Sequence, residues 1–596
     1  MKLFLASRSE GFLRYVVELN DFHNIASEGF HTMGNYLNVT ALPPAGIENK
    51  HAYLVGGGIG SLAAAAYLIR DGHMAGGNIT ILEELKVAGG SLDASGNPPD
   101  GYLVRGGREM EEHYECTWDL FAHVPSIITA GRTVLEEFRE INDADPNEAT
   151  TRIMSNCGVP DTNTTLGLSH HNVRELTKLT LATEAELGAA TVEEFFSKSY
   201  METDMWCYWR SMFAFEPWHS VVEMRRYMNR FMHLLPGMSR LKDILFTKYN
   251  QYDSMVLPLQ TWLKDQGVVF DLGTQVTDLD IDIADGAKTV TAIHVLSDGV
   301  PLKIATTAND LVFVTNGSMT ENSTVGSMTE PAILNRGEGG CWTLWKNIAA
   351  KDPAFGRPEV FCSDIDKSKW LSFTITATDS PIADLLRKFT GRDPFSGNGV
   401  TGGIMTIRDS SWLMSVTCNR QPQWPDQPAN TLVLWAYGLY PDNVGDYVKK
   451  KMSDCNGEEL LSEMLYHWGA ADQIPAILPT VKVVPCMMPY ITAQFLPRVA
   501  GDRPDVVPAG SKNLAFLGQF AEIPDDCVFT VEYSVRSAMM AVYTLLDLDK
   551  TPPEIYPSKY DVRVIAKATE VMYDGKVPAE GLISHFLKGT SLEGLV

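Results

Sequence analysis

Ala52-Tyr53-Leu54-Val55-Gly56-Gly57-Gly58-Ile59-Gly60-Ser61-Leu62 is a short apolar run that ends in glycines and passes at once into residues of helical composition. The helical stretch runs on through Leu62–Arg70, and Ile79–Leu82 reads as a second buried strand. Together they make a βαβ unit that opens near residue 51. Gly56 permits the tight turn, and Gly58 lets backbone approach a pyrophosphate at the helix N-terminus, where Ile59 begins the helix. Ser61 holds the third fingerprint position and is small enough for close helix–sheet packing. Alone, the run fits an ordinary strand–helix turn equally well.

Its surroundings decide between the two. Glu83 closes the second strand at the distance where an acid meets a ribose hydroxyl, and Gly89-Gly90-Ser91 follow. Glutamate followed by a glycine pair is the order of FAD-binding Rossmann units, so FAD is expected over NAD. Arg105-Gly106-Gly107-Arg108 gives room for backbone beside a flavin phosphate or ring edge. Gly518 and Phe529-Thr530-Val531 are expected to present backbone N–H groups to the flavin at a helix start, with Thr530 also suited to cap that helix.

The expected fold is α/β: a discontinuous FAD-binding Rossmann-type domain, an interleaved substrate-binding lobe and a small helical C-terminal tail. Strand–glycine elements recur at 52–60, 311–317 and 514–518, so one sheet is revisited between long excursions. Residues 51–150 open the cofactor domain, and about 265–320 and 511–550 complete it. Residues 151–264 are a helical segment of the substrate lobe and 321–510 its main body, with 1–50 a lead-in and 551–596 a helical tail.

Composition excludes other classes. The 596 residues carry 74 acidic against 49 basic side chains, a net charge of -25, which opposes phosphate-backbone binding and so argues against a nucleic-acid partner. Hydrophobic content of 45% and charged content of 21% are globular values. Nine dispersed cysteines without a CxxC pair read as reduced thiols, and no metal site is expected. No apolar run is long enough to span a bilayer, and the N-terminal apolar patch is too short for a signal peptide, so a cytoplasmic enzyme is expected. Basic residues of the tail, Lys559, Arg563 and Lys567 among them, leave peripheral membrane contact open, with a solvated helix the simpler reading.

From Arg105 to Cys116, through Glu109-Met110-Glu111-Glu112-His113-Tyr114, the sequence resembles the fatty acid (oleate) hydratases, also called myosin-cross-reactive antigens. Phe213–Trp218, Met224–Tyr227, Phe246–Tyr252, Met488–Thr492 and the span from Asn513 through Arg536 are similar too, so the likeness covers about residues 51–550. The resemblance implies water addition across an isolated cis-9 double bond of oleate, linoleate or a related free fatty acid. The product is a 10-hydroxy acid, FAD performs no net redox chemistry, and its reduced form is the more active. A homodimer is also implied.

The same resemblance assigns roles. Tyr227 matches the family's proton donor and Glu109 its water-activating acid, with an acid–water relay through Glu109 left open. A phenol has an ordinary pKa of ~10, so this chemistry calls for positive charge nearby, and Arg225, Arg226 and Arg230 are the candidates. Without the family, Tyr227 reads as a core tyrosine and Glu109 as an ion-pair partner of Arg105 or Arg108. Ser415–Gln423 resembles the stretch that takes the fatty-acid carboxylate, through Thr417, Asn419 and Gln423. Many relatives have histidine at this last position, and glutamine cannot become positive. The rival readings are a redox flavoprotein, such as a fatty-acid double-bond isomerase or oxidase, and a non-catalytic FAD- or lipid-binding protein.

Overall fold

The computed structural model describes residues 42–107 and 109–576. Most of the expected N-terminal lead-in, the last part of the tail and Arg108 therefore lie outside the described residues.

Five short strands form a wholly parallel sheet: β1 (Ala52–Val55), β2 (Ile79–Glu83), β3 (Val269–Leu272), β4 (Leu311–Thr315) and β5 (Leu514–Leu517), in the order β5-β4-β1-β2-β3. β4 and β5 are apolar runs buried along almost their whole length, the pattern of strands covered on both faces. Helix α1 (Ile59–Arg70) lies on the sheet through Ala63–Ala66, all buried, whose small side chains allow the close approach. This is the Rossmann-type arrangement, assembled from three distant parts of the chain.

A second sheet is mainly antiparallel, and the long strand Trp370–Thr378 lies at its centre between Thr431–Gly438 and Val481–Met488. Met414–Thr417 pairs with the far side of Thr431–Gly438. Leu371, Phe373 and Ile375 of the central strand pack with Leu460, Leu461, Met464 and Leu465 into a core separate from that of the parallel sheet.

Four further helices matter for the site: α2 (Val221–Arg230), α3 (Gly457–His467), α4 (Val531–Leu545) and α5 (Val562–Met572). α2 starts where the Ser220 side chain accepts from Glu223 N–H, and α4 starts where the Thr530 side chain accepts from Tyr533 N–H. α1 and α4 meet edge to face at Tyr67 and Tyr543, with ring centroids 6.3 Å apart.

The described part of the tail carries a helix, α5, and the chain leading to it packs on the substrate-lobe segment. Tyr556 stacks on His113 at 3.6 Å, and the Ser558 hydroxyl donates to the carbonyl of Asn229 near the end of α2. Its described part thus braces the helix that carries Tyr227. Among the described residues no helix is long and apolar enough to cross a membrane.

Candidate active site

The two glycine turns lie against each other. Gly56 has φ +91° and takes its hydrogen bond to Leu82 O, and Gly58 precedes α1 without offering a side-chain cap. Gly89 donates to Gly57 O at 2.9 Å, and Gly90 has φ +58°. A Cβ on Gly90 would fall 3.0 Å from Gly58 Cα, so only backbone fits between the turns. Glu83 accepts from Gly57 N–H at 2.5 Å and from Leu85 N–H at 2.8 Å. Burial nevertheless raises its pKa above the usual carboxylate value, while these two N–H groups oppose the shift. The uncapped helix start and the side-chain-free cradle fit a dinucleotide pyrophosphate, with Glu83 beside it to accept from a ribose. Ser61 is buried and its hydroxyl lies 3.3 Å from that of Thr315, which ties α1 to β4.

Other expected flavin contacts are engaged within the protein. Gly518 N–H donates to the Ser537 hydroxyl at 3.0 Å, and Phe529 N–H donates to the Gln519 side-chain oxygen. Thr530 caps α4 and donates to Cys527 O. Phe529 and Thr530 adjoin a cavity beside α4, and the N–H groups of Gly518 and Phe529 are already committed within the protein. Ser91 follows Gly90 in a short 3-10 turn.

From the glycine pair the chain forms a hairpin, Ala94–Asn97 with Gly101–Val104, which docks on the antiparallel sheet through Tyr102 N–H to Thr376 Oγ1 (2.8 Å). Arg105 then ties the exit back, binding Asp93 at 2.6 Å and Gly90 O at 3.0 Å. Its charge is spent there and not on Glu109. Gly106 and Gly107 pass beside Trp435, and the chain delivers Glu109 into a cavity of about 70 Å³.

That cavity holds both expected catalytic side chains. Glu109, Tyr227, Phe213, Phe231, Ile404 and Phe529 are among its walls, with Gly107 and Thr530 at the cofactor side. Burial pushes the Glu109 carboxyl up to about 7, and only the Arg152 charge pulls it back. Tyr227 is 1% exposed, packed edge to face on Phe213, Phe215 and Phe231, and its hydroxyl donates to Val528 O. Burial, then the neighbouring Cys527 and Tyr114, raises the phenol well above its ordinary value.

Among the described residues, the three arginines expected to bring positive charge to Tyr227 are each engaged with other partners. Arg226 pairs with Glu184 and Glu522, Arg230 with Glu111 at 2.9 Å, and Arg225 donates to Ala182 O. Although burial opposes it, Arg230 with His233 holds Glu111 down at about 2. The arginines of α2 thus serve to anchor the helix among acids.

Thr417, Asn419 and Gln423 line one neighbouring pocket with Gly106, Gly107 and Trp435. Thr417 donates to Gly403 O or Asn419 Oδ1, each 3.2 Å away, and Gln423 Nε2 donates to Arg420 O at 2.6 Å. Gly403 has φ +111°, and a Cβ there would fall 3.1 Å from Glu109 Oε1. One glycine therefore separates the carboxylate-type pocket from the acid. The sequence reading passed over Gly403, Arg152 and Arg420. Arg420 pairs with Asp145 at 3.2 Å and keeps Nη1 buried without a hydrogen-bond partner.

The profile of the MCRA family matches residues 49–543. The chain belongs to the MCRA family. It is 45% identical to an oleate hydratase of Streptococcus pyogenes over 556 residues, covering 92% of this chain and 94% of that protein. It is 31% identical to a linoleate hydratase of Lactiplantibacillus plantarum over 569 residues, 88% of this chain and 98% of that protein. Among solved structures, an oxidoreductase of Methanosarcina mazei aligns over 83% of this chain and all of its own, at 15% identity and a TM-score of 0.44, too distant to bear on function. In this MCRA chain, Glu109, Tyr227 and Thr417 come together from three remote segments around the turn at Gly107 and Gly403.

Proposed function

We propose that this MCRA chain is a fatty acid hydratase, a hydro-lyase that adds water to the cis-9 double bond of oleic, linoleic or a related free acid to give a 10-hydroxy acid. The observation that carries the reading is Glu109, a carboxyl held at about 7 in an apolar cavity that it shares with Tyr227. FAD fits the glycine cradle, with Gly56, Gly58, Ile59, Glu83 and Gly90 as its holders. When bound it supplies electrostatic shaping of the site, and the reduced form is expected to be the more active.

An isolated alkene is a weak base and needs a positioned acid on one carbon and an oriented water at the other. Glu109 is half protonated near neutrality, whereas Tyr227 is a far weaker acid whose proton is committed to Val528 O. The reading therefore departs from the roles that the family resemblance implies. Glu109 gives its proton to one alkene carbon, directly or through a water. The attacking water bonds to the other carbon and returns its spare proton to the Glu109 carboxylate, so the protein ends as it began. Tyr227, donating to Val528, offers the cavity its lone pairs, which accept from that water and aim its oxygen. Thr417, Asn419 and Gln423 would hold the fatty-acid carboxylate, set by chain length from the reacting carbons.

Incubation with oleate, FAD and a reductant in ¹⁸O-labelled water tests the reading by mass spectrometry. A product heavier by one labelled water, with no oxygen consumed, is expected. Oxygen uptake or a positional isomer of oleate would replace it with a redox flavoprotein, and unchanged oleate with a lipid-binding one.

A further inference from the structure

Asp446, Glu463 and His467 converge beside the antiparallel sheet and are not among the residues lining the cavity described above. Glu463 and His467 lie one turn apart on α3, so both side chains leave the same face. Asp446 comes from the loop after the strand Thr431–Gly438. One ligand atom from each of the three falls within 4.8 Å of the other two.

Local bonding fixes the two acids while leaving them charged. Glu463, fully buried, accepts the backbone N–H groups of Asp446, Tyr447 (2.9 Å) and Val448 (2.8 Å). Asp446 accepts from Ser411 N–H at 2.8 Å and the Ser411 hydroxyl at 2.7 Å. These donors are neutral, so two negative charges remain.

His467 is the observation that points to a ligand. It is 3% exposed, and Nε2 lies 3.2 Å from Asp446 Oδ2 and 3.4 Å from Glu463 Oε1. Yet Nε2 has no hydrogen bond of acceptable angle to either. Two ligand atoms each ~2.1 Å from one cation, at an angle near 100°, stand ~3.2 Å apart. The spacings found here are those of donors sharing an ion.

We propose that Asp446, Glu463 and His467 form a structural site for a first-row divalent cation of the Zn²⁺ or Mn²⁺ type. Two carboxylate oxygens and an imidazole suit such ions, and water completes the shell on the exposed side of Asp446. The cation joins the loop at 445–448 to the last turn of α3.

Full-length protein stripped with a chelator is titrated with ZnCl₂ and, separately, MnCl₂ by calorimetry, with thermal melts alongside. One equivalent of one of these ions should bind and raise the Tm. Asp446→Asn, which leaves the buried Glu463 in place, should weaken binding about tenfold or more, as should His467→Gln. Circular dichroism of the metal-free variants establishes that they fold. Absence of one-to-one binding in the parent, or equal binding by folded Asp446→Asn, overturns the site and leaves an imidazolium bridging two acids.

Discussion

The phenol of Tyr227 donates its proton to the carbonyl of Val528, joining α2 to the turn that starts α4 at the wall of the cavity. Tyr227→Phe removes both this bond and the acceptor for the attacking water. Misaligned water should cost about 100-fold in kcat. The orphaned carbonyl should cost about 1–3 kcal/mol in unfolding free energy. Steady-state rates and denaturant melts measure the two; a loss under threefold in kcat would remove Tyr227 from the reaction.

Glu109 acts here in its protonated form. Since its pKa lies at about 7, hydration should decline as pH rises through neutrality and level off below it. Initial rates across pH, at saturating fatty acid, read the limb. A rate that instead rises through 7 would return Glu109 to the role of base and Tyr227 to that of donor.

The same group affects stability. Its folded pKa lies above the ordinary 4.5, so its favourable contribution is fully present below 4.5 and is lost as pH rises through about 7. Glu109→Gln carries no charge in either state and escapes that loss. Above neutrality the variant should exceed the parent by up to about 3 kcal/mol, with the difference vanishing only below pH 4.5. Urea melts at the two pH values decide it.

Arg152 is 3% exposed, and its four hydrogen bonds all go to neutral oxygens: Ile404 O, Thr406 Oγ1, Tyr208 O and Ser211 Oγ. Its charge is the one influence that lowers the Glu109 pKa. In Arg152→Met the falling limb of the pH–rate profile should move to higher pH. Arg152→Lys should keep the midpoint while losing stability, since the charge stays and the bonds to Tyr208 and Ser211 are lost. Identical midpoints in both variants would show that Arg152 only braces the fold.

Gly58 and Gly90 separate protein effects from ligand effects. A Cβ on Gly58 would meet only Gly90 Cα, at 3.9 Å, and its φ of -75° suits any residue. Gly58→Ala should therefore shift unfolding by under about 0.5 kcal/mol. Its methyl group nevertheless enters the space given to a pyrophosphate, so the protein should purify with little flavin absorbance. Full flavin content in this variant would move the cofactor elsewhere.

The βαβ opening was legible because glycines at a strand end mark backbone conformations that other residues adopt rarely, seen in the positive φ of Gly56 and Gly90. β4 and β5 could be read for their unbroken apolar runs. The antiparallel sheet was passed over: Thr431–Gly438 is a continuous apolar run buried on both faces, whereas Trp370–Thr378 carries a plain strand signal, apolar and hydroxyl-bearing residues alternating from Leu371 to Thr376, that was left unread. Glu109 and Tyr227 were found through the family likeness; without it Tyr227 reads as a core tyrosine and Glu109 as an ion-pair partner of Arg105 or Arg108. The fate of Arg226 and Arg230 was hidden because their acids come from other segments: Glu184 for Arg226, Glu111 for Arg230, and Glu522, 296 residues beyond Arg226. Glu463 and His467, by contrast, stand in plain i,i+4 spacing and were passed over.

The order of strands also bears on synthesis. β1, β2, β3 and β4 have all left the ribosome once Thr315 is clear, yet β5 is about 200 residues further on. Until then one edge of β4 has open backbone donors and acceptors, able to pair with any passing strand. Closing that edge must await a distant contact, which slows folding. The nascent protein thus makes most strands of its antiparallel sheet while its first sheet is unfinished.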